Sequence, residues 1–123
     1  MLPNSKILIV DDNREFREAL ARILSATGYD VDMAGDGEEA LALIKTKKMH
    51  LAIVDIDMPR MDGIQFTIKV KELIPSFPVI IVTGYTQFYK AEEILATGAE
   101  AFLKKPVELP MLLDLIKKLK TSG

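Results

Sequence analysis

The sequence predicts an α/β domain of the doubly wound (βα)5 kind, a five-stranded parallel sheet with helices on both faces. Four short runs, ILIV (7–10), LAIV (51–54), VIIV (79–82) and AFL (101–103), are almost wholly apolar or β-branched. Unbroken runs of that length suit strands covered on both faces, which is the situation in a parallel sheet. Helical patterns separate the runs, so strand and helix alternate five times. Parallel neighbours require crossover connections, and these are helical and right-handed.

Each element has its own justification. After ILIV, Phe16, Leu20, Ile23 and Leu24 follow the three-and-four spacing of an amphipathic helix, with Asp12 or Asn13 as N-cap and Gly28 as the stop. YDVDM (29–33) alternates apolar and acidic residues, which implies one wet face and a place at the sheet edge. GDGEEALALIKTKK (35–48) carries acids in its first turn and lysines in its last, complementing the helix dipole. Residues 62–73, 87–97 and 108–120 supply three further helices, the last with Leu112, Leu115, Ile116 and Leu119 on one side. No repeat, low-complexity tract or linker interrupts the 123 residues, so a single domain is expected over 1–123.

Composition removes several functions. The net charge of −2 and the interspersed acids and bases offer no surface for nucleic acid or anionic membrane. Without cysteine there is neither a disulfide framework nor a thiolate metal site, and the composition fits a reducing cytoplasm. MLPNSKILIV is too short in its apolar part for a signal peptide, and no run has the length to cross a bilayer. A soluble cytoplasmic protein is expected.

In doubly wound folds ligands bind beyond the carboxyl ends of the strands. The residues there are Asp11 and Asp12 after ILIV, Asp55 and Asp57 after LAIV, Thr83 and Gly84 after VIIV, and Lys104 and Lys105 after AFL. Two carboxylates about 5 Å apart repel by roughly 3 kcal/mol at an effective dielectric of about 20, so a cluster of them calls for a cation. All-oxygen ligands favour a hard ion, and Mg2+ suits a partly open rim. A lysine and a threonine at the same rim add an anion-binding half. A carboxylate with metal, ammonium and hydroxyl around it is a set suited to phosphoryl transfer, with Asp55 as acceptor.

VDDN (10–13), VDIDMPRMDG (54–63), VTG (82–84) and LKKP (103–106), in this order and spacing, resemble the receiver domain of bacterial two-component response regulators. The resemblance covers nearly the whole chain and implies a flavodoxin-like sheet of order 2-1-3-4-5. It also implies that Asp55 accepts a phosphoryl group from a histidine kinase or a phosphotransfer protein, with Mg2+ as cofactor and Mn2+ as a substitute. Asp12 would ligate the ion directly, Asp11 mainly through water, and Asp57 through its backbone carbonyl. Lys105 would pair first with the acceptor carboxylate and then with the phosphoryl group, across a cis Lys105-Pro106 bond. Thr83 would move toward the phosphoryl oxygens and Phe102 inward behind it, remodelling the surface of the fourth helix, fifth strand and fifth helix for a downstream protein or effector domain. The role implied is regulatory rather than that of an enzyme with a separate substrate, in a chain that is monomeric before phosphorylation. Dimerisation afterwards, and a stand-alone protein against a piece of a longer regulator or hybrid kinase, stay open.

Simpler roles exist for the same residues. Asp11 and Asp12 could serve a helix N-terminus, Asp57 a turn before Met58-Pro59, Thr83 a strand, and Phe102 the core. Lys104 is expected to point away from the cleft as an edge-strand charge, and Asp57 and Tyr85 stand at rim positions that in this family tune acyl-phosphate lifetime. His50, the one histidine, is expected at the surface of a polar turn. VDID also resembles the aspartate nucleophile of haloacid-dehalogenase phosphatases, although the motif is mid-chain, is followed by Met-Pro and has no cap region. A docking module that works without phosphorylation is the third reading.

Overall fold

The structure is a computed structural model and describes residues 5–58, 61–84 and 91–121. Pro59, Tyr85 and the start of the helix expected from residue 87 lie outside these. The elements run β1 (Lys6–Val10), α1 (Arg14–Ala26), β2 (Asp30–Ala34), α2 (Gly37–Thr46), β3 (Leu51–Asp55), α3 (Gly63–Leu73), β4 (Val79–Thr83), α4 (Ala91–Leu95), β5 (Ala101–Lys104) and α5 (Leu109–Thr121). All pairings are parallel and the sheet order is β2-β1-β3-β4-β5.

Strand side chains alternate between faces, so each apolar run feeds two cores at once. Leu8, Val10, Ala52, Val54, Val79 and Ile81 meet Ala40, Leu41 and Ile44 of α2, Phe66 and Val70 of α3, and Ile94 of α4. Ile7, Ile9, Leu51, Ile53, Ile80 and Val82 meet Leu20 and Leu24 of α1 and Leu112 and Ile116 of α5. Each fully buried side chain of this size contributes about 1.5–3 kcal/mol, which is why β1 after Lys6, and β3 and β4 up to their last residue, hold apolar residues alone.

The two edge strands depart from expectation. The run AFL reads as buried on both faces, yet Ala101, Phe102 and Leu103 are only half-buried, because β5 has β4 as its one neighbour. The alternation in β2 does mark an edge, but it gives no clean wet face. Met33 is 41% exposed, whereas Asp32 is half-buried beside Lys6 and Lys47 at 3.6 and 3.7 Å. Two lysines facing the acid from β1 and the end of α2 outweigh its preference for water.

Asn13, not Asp12, caps α1, accepting the Phe16 N–H at 3.1 Å. Gly28 closes the same helix at φ +101°, with its N–H donating to Ser25 O and that of Tyr29 to Leu24 O, both at 3.1 Å. Asp36 and Asp62 cap α2 and α3 in the same way as Asn13. His50 is not a bare surface residue: its Nδ1 accepts the Lys6 N–H at 2.9 Å, tying the start of β1 to the turn before β3.

Candidate functional site

The carboxyl ends of β1, β3 and β4 form one rim, and the loop after β5 folds over it. Asp11 and Asp55 are buried, at 2% and 5% exposure, while Asp12 stands in solvent. One oxygen from each of these three carboxylates lies within 4.8 Å of the others. Asp57 is exposed and is not part of that group. Burial of the ends follows from the fold. β1 and β3 are central, Arg17 of α1 bonds the Asp11 carbonyl and Gly63 at the start of α3 stands against the Asp55 carbonyl, so the acids are desolvated by neighbours rather than by choice of side chain.

Asp11 is held from several sides. Its Oδ1 accepts the Asn13 N–H at 2.8 Å, its Oδ2 the Lys105 ammonium at 2.8 Å, and its carbonyl the Arg17 guanidinium at 2.7 Å. Both carboxylate oxygens are therefore engaged, which leaves Asp12 and Asp55 as the carboxylates better placed to meet a cation directly. Lys105 Nζ stands 3.7 Å from Asp55 Oδ1, an ion pair beyond hydrogen-bond length. It also lies 4.2 Å from the centre of the Phe16 ring.

Asp55 is an acid out of balance. Burial pushes its carboxyl up to about 7, Asp11 pushes the same way, Lys105 opposes, and Asp12 and Asp57 add smaller upward contributions. One lysine shared with Asp11 does not neutralise three carboxylates, and a divalent cation of oxygen preference fits the deficit.

The remaining predicted residues are placed as follows. Thr83 ends β4, is fully buried, and its carbonyl accepts the Lys105 N–H at 2.9 Å. Gly84 is exposed, and among the described residues a Cβ there would come no nearer than 4.0 Å to Lys105. The Lys105-Pro106 bond is cis. Lys104 points away, lining with Phe102, Pro106, Glu108 and Met111 a shallow groove of about 270 Å³. Phe102 is half-buried against the core beneath α2, α3 and α4. Met58 and Met61 pack against the core beneath α2, α3 and α4.

Three residues escaped the sequence reading. The spacing along α1 gives Phe16 only a place in the helix core and Arg17 none, although both sit about one turn beyond the acid pair. Gly63 is the third. Its N–H donates to Ile56 O at 2.9 Å, and a Cβ would overlap the Asp55 carbonyl and come within 2.9 Å of Ile56 Cα. The Asp-Gly pair that opens α3 was the available signal: the aspartate caps, and the glycine lets the helix start against the end of β3.

A five-stranded parallel sheet of this order, with acids and a lysine at its strand ends, defines a class of signalling module. Residues 7–117 match the response regulator receiver domain family, and the chain belongs to it. Response regulator MprA of Mycolicibacterium vanbaalenii is 36% identical over 114 residues, covering 93% of this chain and 49% of that protein. The chain thus spans about half the length of the curated relatives it matches. Among solved structures, a CheY-like receiver domain protein from Methanospirillum hungatei is 35% identical, with TM-score 0.87 over 98% of this chain and 99% of that one. The response regulator TrrA from Thermotoga maritima, crystallised with Mg(2+)-BeF, is 30% identical, with TM-score 0.86 over 94% of this chain and 98% of that one. No helix among the described residues is long and apolar enough to cross a membrane.

Proposed function

We propose that this receiver domain, spanning 1–123 as one unit, is a phosphoryl-accepting switch in which Asp55 is the acceptor. The observation that carries the reading is the buried Asp55 carboxylate within 4.8 Å of Asp11 and Asp12 and 3.7 Å from the Lys105 ammonium. An oxygen of Asp55 attacks the phosphorus of a phosphohistidine on a histidine kinase or phosphotransfer protein. An O–P bond forms as the P–N bond breaks, and the electron pair leaves on the imidazole nitrogen, which takes a proton from solvent. The product is an acyl phosphate.

Asp12 and Asp55 would hold Mg2+, or Mn2+ in its place, together with the Asp57 backbone carbonyl, and Asp11 would reach the ion through water. Bound there, the ion neutralises the carboxylates and the charge that develops on the phosphoryl oxygens. The TrrA complex with Mg(2+)-BeF, at 30% identity, supports Mg2+ as the ion. Lys105 serves the oxygens of the phosphoryl group as a point charge, and the Thr83 hydroxyl donates to one of them. Displacement of Thr83 draws Phe102 inward and alters the surface of α4, β5 and α5, which a downstream protein or effector domain reads. The protein is regulatory, promoting only the gain and loss of its own phosphoryl group, and monomeric until phosphorylated.

The test is intact-protein mass spectrometry after incubation with acetyl phosphate, with and without Mg2+, on the wild type and Asp55→Asn. The expected result is a metal-dependent gain of one phosphoryl group in the wild type alone. Labelling at full rate in the variant would refute the assignment of Asp55, and turnover of a phosphate ester without a stable adduct would favour the phosphatase alternative.

A further inference from the structure

We infer that Phe16 is a positioning residue for Lys105, its ring parking the ammonium on the Asp11 side of the cleft so that transfer to Asp55 requires Lys105 to leave it. The inference rests on Asp55 being the acceptor. Three contacts define the parked state: 2.8 Å from Lys105 Nζ to Asp11 Oδ2, 4.2 Å to the Phe16 ring centre, and 3.7 Å to Asp55 Oδ1. The ammonium is thus closer to the non-reacting carboxylate than to the reacting one. A cation over an aromatic face is attracted by the negative face of the ring.

The ring is fixed by the same short segment that fixes Asp11. Asn13 accepts the Phe16 N–H at 3.1 Å, and the Asn13 N–H donates to Asp11 Oδ1 at 2.8 Å, turning Oδ2 toward Lys105. Phe16 is itself half-buried against Leu20 and the core under α1 and α5, so the ring does not follow the ammonium when it moves. When a phosphoryl group arrives at Asp55, Lys105 must exchange the ring and Asp11 for phosphoryl oxygens. A stronger ring raises the cost of that exchange.

Fluorinated phenylalanines placed at position 16, from one to three ring fluorines, keep the ring's shape while draining its negative face. Two quantities are read on the full chain: the upfield ring-current shift of the Lys105 ε-protons by NMR, and the rate of Asp55 labelling by acetyl phosphate with Mg2+. The expected result is a logarithmic rate that rises steadily with fluorination, by about two- to five-fold across the series. Phe16→Leu, which keeps the apolar packing, should lose the ring-current shift and label at least as fast as the most fluorinated variant. A rate that is flat or falls along the series, in proteins whose stability is unchanged, would overturn the parking role, as would a wild type whose Lys105 ε-protons show no ring-current shift. A wild type that takes no label would instead overturn Asp55 as acceptor, and this inference with it.

Discussion

Asp55→Asn should make the metal-free protein more stable, and increasingly so as pH rises. In the folded protein the Asp55 carboxyl is raised from 3.8 to about 7, first by burial and then by Asp11. In the unfolded chain it titrates near its ordinary value. Between about pH 4 and 7 the native state holds a proton that the unfolded state has released, so stability falls as pH climbs through that window. At 1.36 kcal/mol for each unit of difference, the loss approaches about 4 kcal/mol at pH 8, and relaxation of the site would reduce it to roughly 2–4 kcal/mol. Asparagine is close to isosteric and carries no charge, so this pH-dependent loss disappears in the variant. Urea unfolding of both proteins in EDTA at pH 5 and pH 8 reads the effect, because groups remote from the site titrate alike in the two chains and cancel. The variant's advantage should grow by roughly 1–3 kcal/mol between the two pH values, and Mg2+ at pH 8 should restore most of the loss to the wild type alone. An advantage that does not change with pH would refute the argument that Asp55 is a buried charge awaiting a cation.

The other predictions concern the frame of the site. Asp12→Ala should weaken Mg2+ binding by ten-fold or more with little loss of stability, since its carboxylate is exposed; titration calorimetry beside urea unfolding separates the two effects. Gly63→Ala should cost about 1–3 kcal/mol, because the added methyl meets backbone rather than a flexible side chain, and should also slow Asp55 labelling by shifting the end of β3. Retained stability and rate in that variant would show that α3 can start elsewhere. Thr83→Ala should still accept the phosphoryl group while losing most of the phosphorylation-dependent gain in partner affinity, measured by titration of a downstream partner with BeF-treated protein.

Much of the molecule is legible in one dimension because a parallel sheet writes its burial directly into the chain. Strands covered on both faces carry unbroken apolar runs, so ILIV of β1, LAIV of β3 and VIIV of β4 announce themselves, and the residues that follow can be counted off as Asp11, Asp12, Asp55 and Thr83. Caps act on backbone N–H groups three residues away, yet the sequence left the first one open between Asp12 and Asn13, and the structure adds Asp36 and Asp62. The edges were read less well. β5 has the apolar composition of a central strand, and only its place in the sheet order leaves it half-exposed. Asp32 looks like a solvent residue until Lys6 and Lys47 are brought to it from other elements.

What the sequence by itself determined was the alternation of elements, the central strands and the inventory of acids, lysine and hydroxyl at their ends, since each depends on spacing along the chain. Tertiary structure alone decided how those groups share their charge. Lys105 lies 94 positions from Asp11, yet it bonds Asp11 at 2.8 Å and stands at 3.7 Å from Asp55. No periodicity encodes that choice, because it depends on a ring from α1 and on the desolvation of two strand ends by packing that spans the whole fold. The raised carboxyl of Asp55 has the same origin, since burial at the end of a central strand is its largest cause.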